Sequence, residues 1–258
     1  MPNGTISLAA GTNVVPSQSV KNLSFIFDAH ISYHEQISAV TKACYYHIRD
    51  LRRIRPCLDT TTAATIATAL VQSKLDYCNS LYLNLPSCEL DRLQLVQNSL
   101  ARVVSNTNRF CHISPVLHSL HWLKIRERIT YKVLSLTYNT LQTTKPAYLS
   151  NLIFVQPSRS TRSSSMVTLS RPSLSSQNKI LDRSFSYYAP RLWNSLPPHL
   201  RLTNSDSSSS CTGPVALTRS TFHSHLKTHL FRLSYPSAPL KAQPFKSRHD
   251  PPPSRPPD

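Results

Sequence analysis

The chain has 258 residues and a formal net charge of +17, with 29 Lys and Arg against 12 Asp and Glu. This excess of positive charge is typical of a protein with a polyanionic partner, either nucleic acid or an anionic membrane surface, and equally of a soluble basic protein with no specific partner. No glycine lies between Thr12 and Thr212, which excludes the glycine-rich phosphate loops of dinucleotide-binding and P-loop proteins. Turns in that span that need a positive φ must therefore use Asn, Asp or a strained residue.

The N-terminal sequence and the cysteines predict an intracellular protein, nuclear or cytoplasmic and not secreted. The N-terminus lacks the basic and long apolar segments of a signal peptide, and no apolar run approaches the ~18 residues of a membrane span. The six cysteines are scattered without a C-x-x-C pair. We therefore expect reduced thiols and no membrane association.

The first elements in chain order are a short β-strand and a long helix. The sequence VKNLSFIFD (20–28) places Leu23, Phe25 and Phe27 on one face of a strand. Ser32 and Glu35 have the spacing of a capping box. The helix that follows ends at Pro56, and its apolar stripe consists of Ile37, Val40, Cys44, Ile48 and Leu51.

Further amphipathic helices follow at regular intervals. Asp59 is expected to cap a helix whose inward side chains are Ile66, Leu70 and Leu75. Ser87 is expected to cap the next, with Leu90, Leu93, Val96, Leu100 and Val103 in register. Ser114-Pro115 opens a short helical turn, and a long helix over 125–141 turns Ile129, Val133 and Leu136 inward. A last helix begins near Ser220 and carries Phe222, Leu226 and Leu230. The fold class predicted is mainly α, a small helical bundle preceded by a short β-strand, with a disordered Pro-rich C-terminal tail.

The acidic residues and histidines do not form a recognisable catalytic or metal site. Among the twelve acids there is no adjacent pair and no D-x-D, so a two-metal polymerase or nuclease site is not expected. Two groups of potential zinc ligands lack paired clusters, and we interpret them as basic surface residues. They are Cys111, His112, His118 and His121, and, further on, Cys211, His223, His225 and His229. No G-x-S-x-G elbow is present, so we expect no catalytic residues, no metal and no cofactor.

Basic helical faces are the remaining functional signal. Their residues recur at helical spacing and could follow a phosphate backbone, although such a face is also typical of a solvated amphipathic helix. The predicted nucleic-acid-binding residues are Lys42, Arg49, Arg52, Arg53, Lys124, Arg126, Arg128 and Lys132.

Several motifs occur in an order that resembles a known family. They are VKNLSFIFDAHISYHEQI (20–37), IRPCLDTTTA (54–63), KLDYCNSLYLNLP (74–86), RLQLVQNSLARVV (92–104), HISPVLHSLHWLKIRERITYKVLSLTY (112–138), APRLWNSLPPHLR (189–201) and STFHSHLKTHLF (220–231). Together they resemble the C-terminal part of the reverse transcriptases of non-LTR (LINE-type) retrotransposons, over about Val20 to Phe231. The family usually has Gly where this chain has Ser24, in the turn at Thr143-Thr144, and at Leu181.

The resemblance implies a domain organisation. Residues 1–19 form a disordered N-terminal segment, 20–105 a strand plus a thumb-like helical bundle, 106–231 a C-terminal helical extension with Ser/Arg-rich loops, and 232–258 a disordered Pro-rich tail. In the family the thumb packs on the template–primer duplex. The fingers, most of the palm and its aspartate pair are expected to lie outside this chain.

The segment SFSYYAPRLWNSLPPHLR (184–201) is an apolar island between two Ser-rich flanks. An exposed cluster of this kind must dock or promote aggregation. The resemblance places APRLWNSLPPHLR in a recurring module of the C-terminal extension. We therefore expect this segment to dock on the preceding helices, through Trp193, Leu196, Phe185 and Tyr188, with Phe222 and Leu226 nearby.

Three functional hypotheses follow. The first is a non-catalytic, retrotransposon-derived basic protein that binds RNA or an RNA–DNA duplex through thumb-like helices. The second is an interaction or structural protein whose helices serve a protein partner. The third is a translated repeat remnant with no evolved function. The salt dependence of binding separates the first from the second, and a cooperative unfolding transition separates both from the third.

Overall fold

A computed structural model describes residues 6–7, 13–14, 17–157, 165–172, 181–203 and 214–236. Most of the predicted N-terminal segment 1–19 and nearly all of the predicted tail 232–258 lie outside the described residues. The described residues within these two segments include strands at 6–7 and 13–14 and the end of the last helix, which extends to Ser234.

Helices dominate the described residues, so the predicted mainly α class is confirmed. Their bounds are α1 His34–Ile54, α2 Thr60–Ala67, α3 Ser73–Asp76, α4 Ser87–Ser105, α5 Ile113–Ser119, α6 Ile125–Thr143, α7 Ala147–Ser150, α8 Phe185–Asn194 and α9 Arg219–Ser234. A wide helical turn over Thr68–Gln72 joins α2 to α3. Short 3-10 turns cover Arg55–Cys57, Asn79–Tyr82, Leu181–Arg183 and Pro198–Leu200.

Two β-hairpins precede the helices. Strand β1 (Ile6–Ser7) pairs antiparallel with β2 (Asn13–Val14), and β3 (Ser19–Asn22) pairs antiparallel with β4 (Phe25–Asp28). The predicted single strand over 20–28 is therefore wrong. Its centre is the turn at Leu23 and Ser24, where φ is 46° and 64°, as in the tight two-residue turns that suit twisted hairpins. Leu23 consequently points away from the core and is 82% exposed.

The start of α1 is held by an acid of the hairpin. The Asp28 carboxylate accepts the N–H groups of Ser32 at 2.8 Å and Tyr33 at 2.7 Å. Burial alone would raise the pKa of Asp28, but these backbone donors outweigh it and lower the pKa. The predicted capping box of Ser32 and Glu35 does not form, because Tyr33 occupies the N-cap position in a left-handed conformation.

The start of α2 follows the prediction, and of its predicted inward side chains Leu75 is buried and Ile66 packs against the core. Asp59 accepts the N–H groups of Thr61 at 2.9 Å and Thr62 at 3.1 Å. Leu70, however, is exposed. The wide turn over Thr68–Gln72 keeps side chains four residues apart on one face, and the face that is buried consists of Ala63, Ala67, Val71 and Leu75.

The helices share one core, which runs from Phe25 to Leu230. Helix α1 packs along α4, and α6 packs against α4, α8 and α9. Helices α1 and α4 run parallel. At their first turns the His34 ring lies 2.7 Å from Glu89, and just past their other end Arg55 contacts the Val103 carbonyl. The C-terminal ends of α1 and α4 are therefore neighbours.

The apolar island docks on this core as predicted. Trp193 is fully buried, and its indole N–H donates to the Val167 carbonyl at 3.0 Å. Its ring stacks on Phe222 of α9 with centroids 5.8 Å apart, and Phe222 stacks on Tyr138 of α6 at 4.2 Å. The segment 165–172 contributes the buried Val167 and Leu169 to this contact.

Candidate nucleic-acid interface

The exposed face of α1 combines cations with tyrosines. Cys44, Ile48 and Leu51 are buried, so the opposite side of the helix faces solvent. That side is a stripe of five exposed residues at helical spacing, namely Lys42, Tyr45, Tyr46, Arg49 and Arg53. We call this stripe the α1 face.

Few acids oppose these charges. Arg53 lies 3.7 Å from Asp50 in an exposed pair that contributes little stability. The Arg49 guanidinium lies over the Tyr46 ring at 5.5 Å, a cation–π contact. Glu35 stands on the same side at the start of the helix. Within the described part of the chain, Lys42 and Arg49 have no ion-pair partner, so they are free to bind an anion.

Arg52 lies to one side of the α1 face. It lines a cleft of about 670 Å³ at the C-terminal ends of α1 and α4, together with Arg55, Arg102 and Arg109. The sequence prediction grouped Arg52 with the α1 set but did not include Arg55, Arg102 or Arg109. Their proximity depends on the parallel packing of α1 and α4, which helical periodicity does not reveal.

The second predicted set, at the start of α6, is largely occupied by contacts within the protein. The Arg128 guanidinium forms a bidentate pair with Asp76, in which Nε lies 2.9 Å from Oδ1 and Nη2 contacts Oδ2. Only 19% of the Arg128 side chain is exposed. Arg128 is therefore placed to hold α6 against α3, and its assignment to a phosphate contact loses support.

The other three members of this set differ in their surroundings. Arg126 lies 3.6 Å from Asp91 in an exposed pair. The Lys124 ammonium lies over the Tyr235 ring at 5.2 Å. Lys132 is exposed and lines a second cavity, of about 680 Å³, beside Lys227. Among the four predicted cations of α6 and its N-cap, Lys132 is therefore the most available to bind an anion.

The two predicted sets do not converge. No cavity found among the described residues is lined by members of both sets. Arg126 pairs with Asp91 near the start of α4, whereas Arg55 contacts the carbonyls of Val103 and Val104 near its end. At about 1.5 Å per residue, roughly 18 Å of helix separates these points. Arg55, just past the end of α1, and the Arg126–Asp91 pair thus lie at different points along α4.

The histidines pack against aromatic side chains. His118 lies 5.0 Å from Phe231, ring to ring, and His223 lies 3.2 Å from the Tyr131 hydroxyl. Burial, and then the charges of Arg219 and Lys227, lower the pKa of His223. Among the described residues, no group of three or more His, Cys, Asp or Glu could hold a metal ion. No helix in the described ranges has the length and hydropathy needed to cross a bilayer.

Comparison of the chain with protein-family models, curated proteins and solved structures gave no match.

Proposed function

We propose that the chain is a retrotransposon-derived protein that binds nucleic acid without catalysis, and that the α1 face carries the binding. The observation that supports this most directly is the row of exposed, largely unpaired cations interleaved with exposed tyrosines on α1. The resemblance to the thumb of non-LTR reverse transcriptases indicates that the ligand is a duplex. It also indicates that an RNA–DNA or RNA duplex is preferred over a DNA duplex.

The spacing of the cations suits a phosphate backbone. Residues three and four apart on a helix have Cβ atoms about 5–6 Å apart. Lys42, Arg49 and Arg53 therefore span roughly 16 Å along one side of α1, enough to meet several phosphates in succession. Tyr45 and Tyr46 can donate hydroxyl hydrogen bonds to phosphate oxygens. None of these residues belongs to a base-reading motif, so the binding is expected to tolerate changes of sequence.

Two backbone positions also support the proposed ancestry. The family usually has Gly where this chain has Ser24 and in the turn at Thr143-Thr144. Ser24 and Thr144 have φ of 64° and 53°, the left-handed region that only Gly adopts without steric cost. A glycine at each position in an ancestral chain would have fitted the same backbone.

The test is the salt dependence of duplex binding, measured by fluorescence anisotropy with RNA–DNA, RNA and DNA duplexes of one sequence. Three α1 cations engaged with B-DNA predict that log K falls with log salt at a slope of about −2.7, and engagement of Arg52 as well brings it to about −3.6. The double substitution Lys42→Gln and Arg49→Gln should flatten the slope by about 1.8 and weaken all sequences alike. Arg191→Gln is the matched control, because Arg191 is exposed on α8 outside both predicted sets and its guanidinium lies over a tyrosine ring, as that of Arg49 does.

The outcomes separate the three hypotheses. Strong discrimination between sequences of one duplex form, or binding that persists at high salt, would contradict an electrostatic backbone contact. No binding at low salt by a chain that unfolds cooperatively would favour the protein-partner hypothesis. Absence of a cooperative transition would favour the repeat remnant. Primer extension with Mg²⁺ or Mn²⁺ on an RNA template should give only background product.

A further inference from the structure

The arginine-lined cleft beside the α1 face has properties that duplex binding does not use. The loop that follows α4 completes its wall. The lining residues are Arg52, Arg55, Pro56, Arg102, Val103, Asn106, Thr107 and Arg109. Four of these side chains are guanidinium groups, and no acidic side chain lines the cleft among the described residues. Such a concentration of positive charge attracts anions.

Arg55, one of the four arginines, makes hydrogen bonds within the protein that account for its place in the cleft. Arg55 donates from Nε to the carbonyl oxygens of Val103 at 3.1 Å and Val104 at 3.0 Å, and from Nη1 to Leu58 at 2.6 Å. It thereby satisfies the last carbonyls of α4 and offsets the negative end of the helix dipole. The field of that helix end is already neutralised, so it does not compensate the remaining three arginines.

Arg52, Arg102 and Arg109 have no ion-pair partner in the ranges that the structure describes. The guanidinium of Arg102 makes one long contact, from Nη2 to the Cys111 carbonyl at 3.5 Å, while its Nε is buried without a hydrogen-bond partner in the described structure. Planar guanidinium groups that converge on one cleft suit the geometry of a phosphate.

An exposed aromatic side chain directly follows Arg109, the last of the lining arginines, in the chain. Phe110 is 79% exposed, and the guanidinium of its neighbour Arg109 lies 4.7 Å from its ring centroid. The loop is fixed locally, because the Cys111 N–H donates to the Asn108 carbonyl at 3.2 Å and Arg102 contacts the Cys111 carbonyl. A phenylalanine exposed in a fixed loop beside cations is typical of platforms on which unpaired bases stack.

We infer that this cleft binds the backbone phosphate of a single-stranded nucleotide whose base stacks on Phe110. The inference rests on the proposed function, since Arg52 follows the α1 face directly and a strand that leaves that face reaches the cleft. A base inside a duplex is already stacked on its neighbours and cannot stack on Phe110. The ligand is therefore a single-stranded overhang adjoining a duplex.

The first experiment compares a blunt duplex with the same duplex carrying a short single-stranded overhang, by anisotropy at fixed salt. The full chain should bind the overhang form at least fivefold more tightly, the value of about one stacked base. Phe110→Ala should remove this advantage and leave blunt-duplex affinity unchanged. Tyr148→Ala is the matched control, because Tyr148 is an aromatic residue of similar exposure outside the cleft.

The phosphate contact is tested by a double-mutant cycle. Arg109→Gln and replacement of one overhang phosphate by a neutral methylphosphonate should each weaken binding severalfold, and together by less than the product of the two effects. Arg126→Gln should be additive with the methylphosphonate. A cycle in which Arg109→Gln is also additive at every overhang position would overturn the phosphate assignment.

A direct readout distinguishes failure of the cleft from failure of the α1 face. In a Phe110→Trp variant, single-stranded oligonucleotide should quench the new, exposed indole. Blunt-duplex binding without an overhang advantage or quenching overturns this inference and leaves the proposed function standing. Quenching by single strands without duplex binding retains the cleft and rejects the α1 face. Loss of both signals rejects both.

Discussion

Glycine substitutions at left-handed turn positions should stabilise the protein. Among the described residues, nine that are not glycine have a positive φ, and two of these nine, Asn84 and Asn106, are asparagines. Ser24 and Thr144 are the most informative, with φ of 64° and 53°. Ser24 closes the hairpin of β3 and β4, and Thr144 ends α6. We expect Ser24→Gly and Thr144→Gly to raise the free energy of unfolding.

The magnitude follows from two opposing terms. The left-handed conformation costs a residue with a Cβ about 1–2 kcal/mol relative to glycine. Glycine also increases the freedom of the unfolded chain, which offsets about 0.4–1 kcal/mol. The net gain is therefore about 0.5–1 kcal/mol for each substitution. Thr144 additionally loses the bond from its hydroxyl to the Thr143 carbonyl, 2.7 Å long, so Ser24→Gly is the cleaner case.

Thr143→Gly is the matched control. Thr143 is the last helical residue of α6, one position before Thr144, and its hydroxyl accepts the Lys145 N–H at 3.2 Å. Glycine in a helical conformation costs about 0.5–1 kcal/mol, so the same substitution one residue earlier should destabilise. Thr143→Gly also removes the hydrogen bonds that its hydroxyl donates to the Asn139 and Lys145 carbonyls. Its value as a control is that a stabilising Thr144→Gly beside a destabilising Thr143→Gly cannot be a general effect of a Thr→Gly change.

Urea unfolding followed by circular dichroism at 222 nm measures these effects. The Ser24→Gly, Thr144→Gly double variant should gain about 1–2 kcal/mol at an unchanged m value, because the sites are independent. The corresponding rise in Tm is about 2–4 °C for each kcal/mol in a chain of this size. Equal destabilisation by Thr143→Gly and Thr144→Gly would refute the reasoning.

Three further predictions concern the core and its charges. In a Trp122→Phe background the emission of Trp193 should be blue-shifted and resist iodide, and Trp193→Ala should cost about 3–5 kcal/mol in urea unfolding; emission typical of water would contradict its burial. Arg128→Gln should lower stability by about 1 kcal/mol through loss of the Asp76 pair while leaving the salt slope of duplex binding unchanged, and a flattened slope would restore its phosphate role. Burial and nearby cations lower the pKa of His223 from 6.5, so the unfolded chain takes up the proton first. Stability should therefore decrease as pH falls from about 6.5 through the folded-state pKa, and His223→Gln should reduce this dependence in urea titrations at several pH values.

Helical periodicity predicts the long elements of this fold well, because each long helix buries one stripe in the shared core. The apolar positions that were predicted to face inward in α4 and α9 are all buried, and Asp59 caps α2. The errors occur where local backbone geometry departs from a regular element. Alternating residues across 20–28 predict one strand, but a two-residue turn at Leu23 reverses the chain. A regular helix would turn Leu70 inward, but a wide turn changes the phase of α2.

The sequence predicts only part of the electrostatic environment of the candidate site. Of the predicted α1 cations, Lys42, Arg49 and Arg53 share an exposed face, whereas Arg52 lies to one side of it. Periodicity cannot show that Asp76, far from Arg128 in the chain, accepts both arms of its guanidinium. Nor can it show that parallel packing of α1 and α4 gathers Arg52 and Arg102 into one cleft. The adjacent Arg109 and Phe110 in a short loop were a local signal that sequence analysis missed.

The turn residues with a positive φ and the α1 face affect different properties of the protein. Left-handed residues such as Ser24 and Thr144 cost stability where the chain turns, because their Cβ atoms crowd the backbone. Lys42 and Arg49 lie mid-helix on the solvent side of α1, and neither has a positive φ. A residue with a Cβ in place of glycine at these turns therefore lowers the free energy of unfolding without altering the charges that we propose bind phosphate. Under the ancestry that we propose, such changes could accumulate while the proposed backbone-binding surface is retained, provided that the core around Trp193 keeps the helices together.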